Sequence, residues 1–594
     1  LKRLPTPALL ASLVVLVFAA YGSSLGGAFV YDDADLIAQN AHLKNWVAGV
    51  KDERGEPRSS LGAMLKSDFA RIGIQEGDIR GIGPINYYRP VIALSYIVDA
   101  WFWSTVGETG PDGRAGAVTF NPVGFHLTNV LFHALNAVLV FMVARKLLRN
   151  RGGGALAAAL FAVHPIHTES VSWIAGRTDV IAMTFFLGAL WAYLDFRRTR
   201  EPIAYWAAVG LLLIGTFAKE MVATLGVVLA LCEGLDARFG LIRGRGIPPS
   251  PARRAAWVVP FLLAVVPYFL VKAALAGGPA SSDGWKDIGF GSALASFFKA
   301  GGWYLGKTLW PLPLDLYPIL RFAGWLEGVL YFVLHAAVLG AALWLALRRK
   351  APLVALAVVG FYLSLAPLSS VLPGARLLRF SEDVDFPVSE RFLYLPSLFL
   401  ILGIAGAMRV LSARGGWRGR LVSASLTAVL LVGGGVATAL RGLDWHTNLR
   451  LYQAAVRTSP ESVRMRSNLG LEYQKVFRVE ESKQELFACL RLQEEFYRRT
   501  GRRYGVDPYA YMHLGRDFLM EGEFAIAVQY YAKGYQQTPN AAPAANNFAF
   551  AALVAGAILQ DPSLVQTSAQ VYARLAQMAP GFALGREQAE FTRN

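Results

Sequence analysis

Apolar stretches of about 17–25 residues recur along most of the chain, separated by short polar turns. Backbone amides inside a bilayer must be satisfied within their own segment, so such runs fold as helices crossing a membrane. Length and polarity predict eleven spans: 6–22, 123–148, 153–165, 171–196, 203–218, 221–237, 255–276, 325–347, 351–370, 391–412 and 421–441. The first run exceeds the apolar core of a signal peptide and has no small-x-small cleavage site, so it reads as a retained anchor. The net charge of +16 could fit a nucleic-acid binder, but a chain of 54% apolar residues and mean hydropathy +0.38 points elsewhere. Lys and Arg held back in cytoplasmic loops account for the charge, and no nucleic-acid partner is expected. Cys232 and Cys489 are too far apart to form a metal motif or a disulfide framework.

The basic residues gather at alternate ends of the spans. Lys2 and Arg3, Arg145 to Arg151, Arg197 to Arg200, Arg238 to Arg254, Arg348 to Lys350 and Arg409 to Arg420 share one side, which the positive-inside rule makes cytoplasmic. The opposite side receives Asp32 and Asp33, His164 to Glu169, Lys219 and Glu220, Lys307, and Glu390 and Arg391. An odd number of spans also exports the C-terminus. This predicts a multi-pass protein of the cytoplasmic (inner) membrane whose C-terminal part lies outside the cytoplasm. Two further apolar segments, 90–106 and 293–310, fit this count only as helices lying along the outer interface. A long outer loop, 31–122, separates the first two spans and is long enough to build a site.

Beyond Arg441 the chain turns polar and a 34-residue period emerges. Tyr511, Leu514, Gly515, Phe518, Ala527, Tyr531, Gly534 and Pro539 stand at tetratricopeptide-repeat spacing. Tyr452, Ala455, Pro460 and Leu469-Gly470 fit the same frame, as does Asn547-Phe548-Ala549, before a helix ending at Pro580. The expected division is a transmembrane domain over 1–441 and a helical-repeat solenoid over 442–594, whose concave face would hold a protein partner.

Four polar groups converge on the outer side. Asp32, Asp33 and Asp35 follow the first span directly, where a carboxylate is costly unless used. Adjacent carboxylates repel, which suits one of them to act as a general base or metal ligand. The segment His164 to Asp179 holds His164, His167, Glu169, Arg177 and Asp179 at a turn between spans. These are metal-ligand types without an established zinc spacing, so a divalent metal stays open beside hydrogen-bonded site residues. Lys219-Glu220 occupies a very short turn, and Glu390-Arg391 opens a late span. Arg177, Arg391 and Arg89 are planar donors suited to phosphate, with Lys219 a point-charge counterpart. One base for an acceptor hydroxyl and cations for a departing phosphate suffice for sugar transfer from a polyprenyl phosphate, with inversion at the anomeric carbon.

At these residues the chain resembles the transmembrane and tetratricopeptide-repeat O-mannosyltransferases, multispanning (GT-C) glycosyltransferases that use lipid-phosphate sugars. The matching pieces are Phe29 to Asp33, Tyr88-Arg89-Pro90, Gly124 to Asn129, His164 to Asp179, Ala218-Lys219-Glu220, Glu390 to Pro396 and Asp444-Trp445. The resemblance implies a GT-C-type all-α membrane domain followed by the repeats. It also implies a base at Asp32 or Asp33 and donor-phosphate contacts from Lys219, Arg177 and Arg391. The segment 277–324 and the acidic insert of Glu382, Asp383 and Asp385 depart from the family pattern, which leaves the sugar open. The expected substrates are a polyprenyl-phosphate sugar and Ser/Thr hydroxyls of an exported protein held by the repeats. A glycan or lipid acceptor, or a non-catalytic scaffold recruiting partners through its repeats, is the alternative. No cofactor beyond a divalent metal is in question.

Overall fold

The computed structural model describes residues 5–50, 88–108, 116–242, 249–275, 290–349, 351–368, 386–500 and 508–578. Lys2, Arg3, residues 51–87 of the outer loop, Glu382, Asp383, Asp385 and Pro580 lie outside them.

The helices in chain order are α1 (Thr6–Tyr21), α2 (Ala41–Val47), α3 (Pro90–Phe102), α4 (Pro122–Leu147), α5 (Arg151–Ala162), α6 (Thr168–Ser172), α7 (Arg177–Thr199) and α8 (Pro202–Ala218). They continue with α9 (Leu225–Phe239), α10 (Pro251–Leu263), α11 (Val266–Leu275), α12 (Phe290–Leu309), α13 (Trp325–Arg349), α14 (Pro352–Leu365), α15 (Ser397–Arg414) and α16 (Gly416–Asp444). The polar region holds α17 (Asn448–Thr458), α18 (Val463–Lys475), α19 (Val479–Thr500), α20 (Pro508–Met520), α21 (Phe524–Gln537), α22 (Ala542–Ile558) and α23 (Pro562–Met578). Two antiparallel ribbons complete the described structure: β1 (Ser104–Val106) with β2 (Val118–Phe120), and β3 (Ile319–Leu320) with β4 (Phe386–Pro387).

Among the described residues, seven helical segments are long and apolar enough to cross a bilayer: Thr6–Gly26, Pro122–Leu147, Ile174–Thr199, Pro251–Ala274, Trp325–Arg348, Ser397–Arg414 and Gly416–Asp444. The chain is a multi-pass membrane protein. Helix α5 is 12 residues long, a rise of about 18 Å, shorter than a hydrocarbon core of about 30 Å. The expected span 153–165 is therefore a partial one. Segment 90–106 divides into α3 and β1.

Three expected spans start later than hydropathy places them, all at the same end. The run at 171 breaks at Trp173, passes through a 3-10 turn (Ile174–Gly176), and becomes regular helix at Arg177. The run at 221 opens with the turn Glu220–Thr224, and the run at 391 with the turn Glu390–Leu393. The first break is stabilised from a distance. The Asn129 side-chain amide donates to the carbonyls of Val171, Trp173 and Ile174 at 3.3, 2.9 and 3.2 Å. Gly176 is required there, because a Cβ would stand 2.7 Å from the Glu169 carbonyl oxygen.

The ends sort as the charge pattern predicts. One end carries Lys146–Asp195, Arg197 with Glu233 and Asp236, and Arg254 with the same two acids. The other gathers the polar turns just described.

Beyond α16, successive helices pack as antiparallel pairs. Gly515 is where α20 meets α21: a Cβ there would lie 2.7 Å from the Tyr531 ring. Gly470 faces Leu486 in the same way at 2.8 Å. These are the close approaches that the repeat spacing predicts at Leu469-Gly470 and Leu514-Gly515.

Candidate active site

Asp32 and Asp33, adjacent in sequence, have opposite environments. Asp33 is fully buried and works as a clamp: Oδ1 accepts the Ala175 N–H at 2.8 Å and Oδ2 the Val30 N–H at 3.2 Å. Burial pushes its carboxyl up to about 8, against the pull of those two N–H donors. Asp32 is exposed, and no described residue hydrogen-bonds its carboxylate. Protein crowding around its recess raises its carboxyl above the usual range, while Arg391 opposes that rise, Asp35 adds to it, and Arg464 opposes it again. The residue just before the two acids, Tyr31, is in the left-handed region at φ 56°. That backbone costs about 1 kcal/mol for a non-glycine residue. The Tyr31 N–H to Asn448 Oδ1 bond (2.7 Å) and edge contacts of its ring with Trp173 and Tyr452 hold it in place.

Glu169 (3% exposed) organises the turn at 389–391. Its carboxylate accepts from Arg391 Nη1 at 2.6 Å, the Arg391 N–H at 2.8 Å and Ser389 Oγ at 3.1 Å. Arg391 is thereby held with its guanidinium over both the Trp173 ring (5.5 Å) and the Phe392 ring (5.1 Å), keeping 29% of its side chain exposed. On the same Phe392 ring rests Lys219 Nζ, at 5.3 Å, paired with Asp179 at 2.5 Å. Burial lowers the Lys219 ammonium, with Asp179 countering. Behind them Arg89 pairs with Glu220 at 3.5 Å. Asp179 Oδ2 and the Trp173 indole N–H are buried without a hydrogen-bond partner among the described residues.

Three groups of expected site residues sit elsewhere. Arg177 is fully buried: its guanidinium pairs with Asp99 at 2.6 Å and donates to Asn129 Oδ1 at 3.1 Å and the Phe125 carbonyl at 2.9 Å. It stacks on Tyr96 at 4.4 Å, so the expected phosphate donor is here a brace between α3, α4 and α7. His164 accepts from the Ile166 N–H and meets the Thr308 carbonyl at 3.1 Å. His167 bridges the Phe161 carbonyl and Ser397 Oγ, so both imidazoles are spent within the fold. Among the described residues no cluster of three His, Cys, Asp or Glu side chains could hold a metal. Glu390 is buried and accepts from Lys307 Nζ at 3.1 Å and the Asp315 N–H at 2.8 Å; burial pushes it up to about 8.

Arg464 was not among the expected site residues. It sits in the first turn of α18, exposed, over the Tyr317 ring at 5.7 Å and within electrostatic reach of Asp32. Only tertiary placement brings it there. The first repeat hairpin packs directly on the site, with Val30, Trp173, Ala175, Leu316, Trp445 and Tyr452 in one apolar cluster. The Trp173 and Trp445 rings stack at 6.2 Å.

No family model matches the chain. Curated proteins do. Protein O-mannosyl-transferase Tmtc1 of Drosophila melanogaster is 33% identical over 230 residues, covering 38% of this chain and 23% of the fly protein. Human TMTC1 is 27% identical over 75% of this chain and 51% of its own length. Human TMTC3 is 23% identical over 96% of this chain and 60% of its own. Among solved structures, the apo oligosaccharyltransferase of Archaeoglobus fulgidus overlaps 74% of this chain and 56% of its own at 10% identity and a TM-score of 0.38. The chain is similar to the TMTC protein O-mannosyl-transferases, along most of its own length for the two human proteins, while spanning less than two thirds of each of these three.

Proposed function

We propose that the chain is an inverting glycosyltransferase of the GT-C type. It would move a sugar, mannose by kinship, from a polyprenyl phosphate to Ser/Thr hydroxyls of an exported protein. The observation that carries the proposal is the Asp32 carboxylate: exposed, without a hydrogen-bond partner among the described residues, and within electrostatic reach of Arg391, which Glu169 holds in place. A carboxylate with free lone pairs can take a proton, whereas Asp33 has spent both oxygens on the backbone. Asp32 is therefore the base of this reading, and Asp33 holds it in place.

The acceptor hydroxyl oxygen attacks the anomeric carbon as Asp32 takes its proton. The bond from that carbon to the phosphate oxygen breaks, and polyprenyl phosphate leaves as an anion that needs no general acid. Arg391 and Lys219, on one Phe392 ring, are the cations assigned to that phosphate, with Arg89 behind them. The unpartnered Trp173 N–H is a donor available to an oxygen of either substrate. The reading places this end of the bundle outside the cytoplasmic membrane, with residues 442–594 presenting the acceptor protein.

Purified protein given a radiolabelled polyprenyl-phosphate mannose and Ser/Thr peptides should glycosylate them, and Asp32→Asn should not. Equal transfer by both proteins would refute the assignment.

A further inference from the structure

The first repeat hairpin is seated on the loop after α1 and on the segment after α12 by bonds at several separate points. Ala28 N–H donates to the His446 carbonyl at 2.9 Å, and Tyr31 N–H to Asn448 Oδ1 at 2.7 Å. Thr458 Oγ1 donates to Asp315 Oδ1 at 3.1 Å, and Arg321 pairs with Glu461 at 2.5 Å. With the apolar cluster beneath, these contacts fix where α18 begins. Ser462 caps it, its hydroxyl accepting the Met465 N–H at 3.3 Å. A cation in the first turn opposes the helix dipole, so the dipole gives no reason for Arg464 at this position. Its guanidinium instead lies over the Tyr317 ring, which packs with Tyr31 on the same apolar cluster, and within electrostatic reach of Asp32.

We propose that Arg464 is a positioning residue: with Arg391 it brackets the Asp32 carboxylate from two distant parts of the chain, so that the repeats form a wall of the reaction chamber. The inference rests on Asp32 being the base, and it adds that the chamber is incomplete without α18. The groups facing Asp32 are Tyr31, Asp33 and Asp35 on its own segment, Arg391 from the turn before α15, and Tyr452 and Arg464 from the repeats. Of these only the two arginines favour the ionised acid. Removing Arg464 leaves Arg391 alone against burial and two neighbouring carboxyls.

The test measures Asp32 directly. The full-length protein in nanodiscs is treated with a carbodiimide and glycinamide across a pH series, and Asp32 modification is read by mass spectrometry. Asp32→Asn identifies the signal. Because the carboxyl oxygen adds to the carbodiimide carbon while its proton passes to the nitrogen, coupling follows the protonated acid, and the midpoint should rise by roughly half a pH unit or more in Arg464→Ala. Arg464→Lys should return it most of the way. In the mannosyl-transfer assay the acidic limb of the kcat/KM profile should move with it. An unchanged Asp32 midpoint in Arg464→Ala, or no restoration by lysine, overturns the bracket. A midpoint shifted in Arg464→Ala, together with a wild-type protein that transfers no sugar, would leave the bracket standing and refute the glycosyltransferase reading instead.

Discussion

Exchanging either member of the Asp32–Asp33 pair for asparagine should separate chemistry from architecture. In Asp32→Asn no hydrogen bond among the described residues is lost, and the side chain is exposed, so stability should stay within about 0.5 kcal/mol of wild type. A general base contributes about 10²–10⁴-fold, or about 3–5 kcal/mol of activation free energy, so kcat should fall by that factor with donor KM nearly unchanged. Asp33→Asn should behave in reverse. The amide oxygen can still accept from Ala175, but the amide nitrogen then faces the Val30 N–H, donor against donor, at a cost of about 1–3 kcal/mol. Protonation adds a signature. The Asp33 carboxyl is raised to about 8 in the fold, while an unfolded aspartic acid titrates near its ordinary value of 3.8. Between those values the unfolded chain holds fewer protons than the native one. Wild-type stability should therefore decline as pH rises from about 4 towards 8, and Asp33→Asn should flatten the decline. The assays are thermal unfolding in detergent across that pH range and single-turnover transfer from labelled polyprenyl-phosphate mannose. Loss of turnover in Asp33→Asn without loss of stability, alongside an active Asp32→Asn, would refute the reasoning outright.

Arg177→Ala strands Asp99 as an unpaired buried acid and should cost about 3–5 kcal/mol, seen as a lower melting temperature and poor yield; a folded variant with only a raised donor KM would restore Arg177 to the phosphate site. Arg391→Lys keeps the charge but loses the bond geometry to Glu169, so donor KM should rise about tenfold while the fold persists, as intrinsic fluorescence melts would report. Gly515→Leu places a side chain where a Cβ already stands 2.7 Å from the Tyr531 ring. It should destabilise the repeats by about 1–3 kcal/mol, read as faster limited proteolysis after residue 500, with the membrane helices unaffected.

The apolar runs were legible because hydropathy is a local sum: each helix carries its own reason for being buried in lipid. The glycines of the repeats were legible for a similar reason, since Gly470 and Gly515 each take the position in a helix pair where the two helices must touch. The alternation of charge likewise sorted the polar turns at one end from the basic residues at the other. What these properties could not predict is the starting point of three helices at the end that gathers the polar turns. Their first residues are apolar enough to belong to a span, yet they form 3-10 turns, one of them because Asn129 satisfies its carbonyls from another helix. The same holds for the polar residues. Asp32 and Asp33 are identical side chains one position apart, and only the Ala175 N–H, 142 positions away, decides which is buried. Arg177 and Arg391 are both arginines at outer turns. Asp99 takes one into the core, while Glu169 holds the other at the surface. Arg464, from the repeats, could be recognised only once the hairpin was docked. Sequence alone determined where most helices run and which polar turns share one end, because both follow from each segment's own transfer free energy and charge. Tertiary structure decided which polar atoms are left for a ligand, because that depends on partners supplied by distant segments.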